Sequence, residues 1–289
     1  MANSIALFEQ YVPLLDEVYK EASRTDVLDG NPELIRVGAN ANELIIPKMT
    51  MDGLADYSRN GGYVSGDVTL TNETVVCNFD RGRMFTVDSM DDAETAGVAF
   101  GMLAGEFIRT KVAPELDAFR FATYAGAEGV GFASETLTDG ESVVSALRAA
   151  TNAMDEAEVP MEDRILFITP TLHGLLQDME LVKSREVLSR FSQVVAVPQT
   201  RFYTAIQQND GTSSGETVGG YTKAADGKEI NFMVIHRAAV IQFPKHISPK
   251  VVSPEMNPDA DAWKFGYRQV SIAQVYENKT AGVYVHCKE

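Results

Sequence analysis

The sequence predicts an α+β fold whose central element is one long helix. Three observations lead to this prediction. Residues 91–127 have the pattern of a single helix, a polar β-excursion at residues 52–67 precedes it, and helices alternate with strands after residue 135. No run of about 18 apolar residues is present, so the sequence predicts no membrane-spanning helix.

The composition limits the classes of protein that the chain can be. Its 289 residues are 45% hydrophobic and 23% charged, which is ordinary for a soluble globular protein. The net charge of −16 argues against a protein that grips nucleic acid, because phosphate binding needs a basic face. Cys77 and Cys287 are too few for a disulfide framework, which indicates a reducing cytoplasm.

The first 42 residues have the pattern of an arm rather than a domain. Residues 4–22 predict an amphipathic helix with Phe8, Tyr11 and Leu15 on one face. Residues 25–42 look extended and irregular. The helix carries acidic groups and little basic charge, so anionic lipid is a poor partner and docking on protein is the better interpretation.

The next part predicts an extended β-loop. Residues 43–47 and 68–79 have strand patterns, and the glycine-rich, polar stretch 52–67 lies between them. An isolated hairpin is marginal in water, so this one is expected to rest on another surface. Residues 80–83 are interpreted as a turn that makes salt bridges, within or between subunits, and residues 84–87 as a short strand.

The long helix has a start, a bend and an end that the sequence specifies. Asp91 and Glu94 match a capping box. The helix would be roughly 50 Å long, which is much longer than a usual helix of about a dozen residues. Pro114 predicts a bend near residues 109–113. Gly126 begins the glycine cluster that ends the helix.

Gly97, Gly101 and Gly105 form a stripe along this helix. Each glycine costs about 1 kcal/mol relative to alanine, so another backbone is expected to pack closely there. Residues 96–105 carry almost no charge, and a helix that is apolar on all sides is buried on all sides. The stripe therefore points to assembly rather than catalysis.

The remaining chain predicts an alternating α/β pattern. Helices are expected at residues 141–156, 170–180 and 184–191, and strands at 164–168, 194–197, 201–206, 230–235 and 238–243. Residues 207–229 are rich in Gly, Ser, Thr and Asp and predict a solvated loop. Residues 263–276 and 282–287 predict a terminal hairpin.

No motif in the sequence predicts catalytic, cofactor-binding or metal-binding residues. The four histidines lack metal spacing. Residues 215–220 begin like a phosphate loop, but Tyr221 stands where lysine is required. Asp259 and Asp261 lack the glycine and distal glutamate of a calcium loop, which favours a turn.

Three stretches, residues 11–23, 79–91 and 109–120, together with the order of elements, resemble the major capsid proteins of tailed bacteriophages. The resemblance implies the Hong Kong ninety-seven-type fold, with the long helix as its spine helix and residues 207–229 near the capsomer axis. The parts it implies are an N-terminal arm (1–42), an extended loop (43–87), a peripheral domain with the long helix (88–134), an axial domain (135–243) and the return of the peripheral domain (244–289).

The resemblance also implies a function. The chain would be a structural subunit of an icosahedral capsid, forming hexamers and pentamers that enclose double-stranded DNA without binding it specifically. Portal and scaffolding proteins, and a decoration protein, would be further partners, with no membrane partner. The implied location is the virion capsid, assembled in the bacterial cytoplasm. The tip offers Arg59 but no lysine, with Lys48 near the base, which argues against a covalent cross-link between subunits.

Two alternatives stay open at this stage. One is an encapsulin-type nanocompartment shell, and the other is a soluble α/β enzyme with a site in residues 135–243. As a hypothesis, eleven residues are assigned to the assembly interface: Phe8, Tyr11, Leu15, Tyr57, Arg59, Tyr63, Arg81, Arg83, Gly97, Gly101 and Gly105.

Overall fold

The computed structural model describes residues 23–30, 36–37, 43–90, 98–179 and 181–289. The predicted arm helix at 4–22 and the capping box of the long helix lie outside these residues. Within them the strands are β1 Arg36–Val37, β2 Glu43–Met51, β3 Val68–Val76, β4 Phe79–Asp88, β5 Gly131–Ser134, β6 Arg164–Ile168, β7 Gln193–Ala196, β8 Ile206–Gln208, β9 Tyr221–Lys223, β10 Ile230–His236, β11 Val240–Val252, β12 Ala262–Val275 and β13 Val283–Cys287.

The α-helices of the same residues are α1 Val98–Phe107, α2 Ala113–Ala125, α3 Gly140–Glu156, α4 Pro170–Gln177 and α5 Leu181–Leu188. A π-helical turn, Ile108–Val112, joins α1 to α2, so the long helix is continuous over its described part. Pro114 lies in the first turn of α2. The missing amide hydrogen of proline removes one helical bond, and the wider turn accommodates that loss. The π-helical turn lies where the sequence predicted a bend, and the bend itself stays a prediction. The predicted end of the helix at Gly126 is confirmed.

The main core surrounds a five-stranded sheet of order β5-β13-β10-β6-β7. All five residues of β6 are buried. Helix α3 begins at a capping box, in which Asp139 accepts a hydrogen bond from the Ser142 amide, and it buries Leu147 and Ala150 in the same core cluster as α4 and α5 residues. The predictions for α3 and β6 are confirmed, because their apolar periodicity is local and strong.

A second sheet has the order β11-β12-β4, with Phe265 of β12 fully buried beneath the long helix. This pairing corrects two predictions. Residues 80–83 are part of β4 rather than a turn, and β4 runs well beyond the short strand expected at 84–87. Residue-by-residue pairing of β4 with β12 supplies backbone partners that no local pattern reveals.

The predicted terminal hairpin was wrong. Strand β12 pairs with β11 and β4, whereas β13 pairs with β10 and β5 in the other sheet. The short 3₁₀ helix Thr280–Gly282 takes the chain from one sheet to the other. Residues 283–287 thus share a sheet with strands assigned to the axial domain, and the division of the chain into arm, loop, peripheral and axial parts stays a prediction.

Two further predictions change in the region before β10. The strand expected at 201–206 is instead a 3₁₀ helix, Gln199–Arg201, followed by irregular chain up to β8. The expected solvated loop at 207–229 contains the antiparallel pair β8–β9. Short strands of three residues give too little alternation for a sequence pattern to show them.

Candidate assembly interface

The stem of the extended loop has an exposed apolar face. Strands β2 and β3 pair with Met49 opposite Leu70 and Met51 opposite Val68. Residues two apart on a strand share a face, so these four side chains lie together. Their exposed fractions are 55% and 66% for the methionines and 67% and 65% for Val68 and Leu70. The stem is therefore amphipathic, and its apolar face is not covered by other described residues of the chain.

The tip of the loop, residues 52–67, presents an aromatic pair. The ring centroids of Tyr57 and Tyr63 are 4.9 Å apart, and both rings are well exposed. Ser58 and Gly62 exchange backbone hydrogen bonds of 3.2 and 2.8 Å, and Gly62 adopts a φ of +76° that suits glycine. Arg59 lies in this exposed turn. The structure thus brings together the three tip residues of the predicted interface.

Arg81 and Arg83 make contacts within the chain. The Arg81 guanidinium donates to a Glu115 carboxylate oxygen at 2.8 Å and to the carbonyl oxygens of Asn209 and Gly220 at 2.7 and 3.2 Å. Arg83 donates to the carbonyl oxygens of Val218 and Thr217 at 2.9 and 3.1 Å. Burial raises the pKa of Glu115, and the Arg81 charge opposes that rise.

A buried polar cluster attaches residues 23–30 to the long helix. The carboxylate of Asp117, fully buried in α2, accepts bonds from the Ser23 hydroxyl at 2.9 Å and the Arg24 amide at 2.9 Å. It also accepts from the Thr25 amide at 3.3 Å and the Thr25 hydroxyl at 2.7 Å, and from Arg201 at 3.2 Å. The part of the arm that follows the predicted arm helix is therefore held at one point on the long helix.

A second set of contacts extends this cluster to β11. Arg120, also fully buried, donates to the Thr25 hydroxyl oxygen at 2.8 Å. The Gln242 amide donates to the Thr25 carbonyl and to Asp29, at 2.5 and 2.6 Å, and Gln242 accepts from the Tyr124 hydroxyl at 2.8 Å. We call residues 23–30 with Asp117, Arg120 and Gln242 the arm anchor. Sequence reasoning missed it, although two charged residues on the inward stripe of an apolar helix were a signal.

A groove of about 1380 Å³ lies between β4, the π turn of the long helix and residues 209–223. Among the described residues, no group of histidine, cysteine, aspartate and glutamate side chains has an arrangement that would hold a metal ion. The described helices include none with both the length and the apolar character for crossing a membrane.

No protein-family model and no curated protein matches the sequence. Solved structures match nearly the whole chain. One from Mycobacterium phage Che8 has a TM-score of 0.61 at 15% identity, covering 92% of this chain and 90% of that chain. The capsid structure of the cyanophage P-SCSP1u has a TM-score of 0.56 at 11% identity, covering 88% and 85%. A virus-like particle from Pyrococcus furiosus has a TM-score of 0.54 at 10% identity, covering 93% and 98%.

The chain has the Hong Kong ninety-seven-type capsid fold. The prediction of this fold from the order of elements is confirmed. Within the capsid fold, the roles of the eleven interface residues stay a prediction. Four of them, Phe8, Tyr11, Leu15 and Gly97, lie outside the described residues.

Of the glycine stripe on the long helix, the structure describes the surroundings of Gly105. Gly101 lies in α1, but its surroundings are outside the described residues. A Cβ atom added at Gly105 meets no atom within 4 Å. The described part of the chain therefore supplies no close-packing neighbour at this position. The close-packing hypothesis then requires a neighbour from a second subunit or from a part of the chain outside the described residues.

We expect Gly105→Ala to raise the free energy of unfolding of the isolated subunit by about 1 kcal/mol, because alanine favours the helix and meets open space. If a neighbour packs on the stripe, the same variant will assemble less well than the wild type. Gly174→Ala is the matched control, since Gly174 lies in α4 and its Cβ also meets open space. Thermal melting and particle yield for both variants check this. Equal assembly of the two variants would contradict the close-packing hypothesis.

Proposed function

We propose that the chain is a structural subunit of an icosahedral bacteriophage capsid, assembling into hexamers and pentamers that enclose double-stranded DNA. The observation that supports this best is the whole-chain likeness to capsid structures, including that of the cyanophage P-SCSP1u. The likeness covers 92% and 88% of this chain in two of these structures, rather than a single module.

The exposed face of the hairpin stem supports self-association. Met49, Met51, Val68 and Leu70 form a contiguous apolar surface on a projecting two-stranded stem. Such a stem is marginal in water unless another surface covers it, and contiguous apolar patches mark interaction sites. In a closed shell every subunit has further copies of the chain as neighbours, so a second copy is the partner that would cover this apolar face.

The charge of the chain supports enclosure of DNA without tight binding. An excess of 41 acidic over 25 basic residues makes general phosphate binding unfavourable. Portal, scaffolding and decoration proteins would be the other partners, and assembly would take place in the cytoplasm of the bacterial host before the subunit becomes part of the virion.

An encapsulin-type nanocompartment shell is the second candidate. The likeness to the Pyrococcus furiosus virus-like particle favours it, because that structure matches 93% of this chain. No specific observation in the described residues favours the soluble-enzyme alternative.

Electron microscopy of the purified, recombinant chain tests the proposal. We expect closed shells or capsomer rings, alone or after co-expression with the neighbouring genes. A chain that stays monomeric at every concentration and with those partners would overturn the shell function. Nuclease-protected DNA inside particles from infected cells supports the capsid, whereas a defined protein cargo without DNA supports the nanocompartment.

A further inference from the structure

The hairpin tip between β8 and β9, residues 209–220, is attached to the rest of the subunit in an unusual way. None of these residues is buried, and Val218 is 84% exposed. The segment has internal order, since the Asn209 amide donates to the Gly220 carbonyl at 2.9 Å and the Gly219 amide to the Glu216 carbonyl at 2.8 Å. We call residues 209–220 the strap. It is an ordered unit without an apolar anchor of its own.

Two arginines on β4 bind the strap. Arg81 and Arg83 are two residues apart on one strand, so their side chains leave the same face. Their guanidinium groups contact four strap carbonyl oxygens, those of Asn209, Thr217, Val218 and Gly220. Charge-assisted hydrogen bonds are stronger than neutral ones, and here they replace hydrophobic packing.

The backbone of the strap is shaped for these contacts. Gly211, Gly219 and Gly220 have φ angles of +77°, +72° and +78°, which glycine adopts without strain. A Cβ atom at Gly219 would lie 2.7 Å from a terminal nitrogen of Arg83. A side chain at this position would therefore push the guanidinium away.

The clamp joins two parts of the fold that already meet elsewhere. Val240 and Val275 belong to the main core around the five-stranded sheet, and they lie at one end of the β11–β12 pair. Arg83 pairs with Tyr267 on β12, eight residues before Val275, or roughly 25 Å along the strand. The chain that leads into the strap is attached to the five-stranded sheet. Before β8, the Phe202 carbonyl accepts a hydrogen bond from the Ile230 amide of β10.

Apolar contacts therefore join the two main sheets at the Val240–Val275 end of the β11–β12 pair and along the long helix, whose Phe119 packs against both cores. The contacts of Arg81 and Arg83 with the strap add a polar attachment at a distance from that end. We propose that the strap is a releasable clamp. Bound to Arg81 and Arg83, it fixes the three-stranded sheet against the five-stranded sheet; released, it lets them change their relative angle and opens the groove beside the long helix. Because β3 leads directly into β4, the clamp also sets the direction of the extended loop.

Hydrogen exchange on the unassembled subunit tests the release. In the wild type, we expect the Asn209 and Gly219 amides to exchange by local opening, at rates that low denaturant concentrations leave unchanged. In Arg83→Gln and in Gly219→Ala they will exchange roughly tenfold to a hundredfold faster, the factor that one or two charge-assisted hydrogen bonds supply. Amides of β10 will be unaffected.

Arg268→Gln is the matched control. Arg268 pairs with Asp80 on the same two strands, at 2.8 and 2.6 Å, and does not bond to the strap carbonyls. It will leave strap exchange at the wild-type rate. Two results would overturn the releasable clamp. One is that the strap amides exchange only when the β10 amides exchange, and the other is that Arg83→Gln, Gly219→Ala and Arg268→Gln change the strap exchange rates equally.

The consequence for assembly rests on the proposed function. Arg83→Gln and Gly219→Ala will give particles of mixed size, whereas the wild type and Arg268→Gln will give a single size. Uniform particles from variants with accelerated strap exchange would overturn the role of the clamp in setting subunit geometry. Failure of the wild type to assemble would count against the capsid proposal instead, and the exchange result would stand.

Discussion

Replacing Asp117 with alanine is expected to lower the free energy of unfolding of the subunit by about 3 to 5 kcal/mol. The substitution removes the acceptor of five hydrogen bonds, from Ser23, Arg24, Thr25 and Arg201. The Asp117 carboxylate is fully buried, and its donors Ser23 and Thr25, which supply three of the five bonds, are buried as well. A buried donor that loses its partner keeps its full desolvation penalty, which water cannot offset there.

The same variant should release the arm anchor. Arg24 is a trypsin site whose backbone amide is bonded to Asp117 in the wild type, so native-state trypsin digestion reports on the attachment directly. We expect cleavage after Arg24 to become much faster in Asp117→Ala. Chemical denaturation measures the loss of stability in parallel.

Glu106→Ala is the control for this experiment. Glu106 pairs with Arg109 on the same long helix at 2.7 Å, but the two side chains are 55% and 61% exposed. An exposed ion pair contributes about 0 to 1 kcal/mol, so this variant should stay close to the wild type in both measurements. Equal stability of the two variants, with Arg24 still protected, would show that the anchor does not hold the arm.

The arm anchor also shows where sequence reasoning ends. Asp117 and Thr25 are 92 positions apart, and nothing in the local pattern around either residue specifies the other. The same holds for β4, whose partner β12 lies far along the chain. Local periodicity found α3 and β6 because their apolar positions repeat within one element, whereas pairing between distant segments depends on the whole fold.

The apolar face of the hairpin stem could not be predicted for a different reason, which is the position of the end of its first strand. The sequence predicts that the first strand ends at Pro47, yet β2 continues to Met51. Among the described residues, strand β1 pairs with Leu44 and Ile45 and leaves the edge of β2 open beyond them, where proline is tolerated. Ending the strand too early placed Met49 and Met51 outside it and concealed the apolar face.

Replacing the apolar pair Met49 and Leu70 by threonine should abolish particle formation and leave the subunit folded. These two residues lie opposite each other on the stem and are more than half exposed. Threonine keeps the strand propensity, and exposed substitutions typically change stability by about 0.5 kcal/mol or less. Burying the exposed part of each side chain against a neighbouring subunit would contribute roughly 1 to 2 kcal/mol to the free energy of association. The variant loses this contribution at every subunit of the shell.

The opposite face of the same stem provides the control. Thr50 and Thr69 are a directly opposed, exposed pair on the polar side, and Thr50→Ser with Thr69→Ser removes two methyl groups there. We expect this variant to assemble as the wild type does. Sedimentation and electron microscopy measure the particles, and thermal melting of the subunit establishes that each variant is folded. Because the two pairs share the stem and lie on its opposite faces, equal particle yields would mean that the apolar face makes no contact in the shell, and that another surface must hold the subunits together.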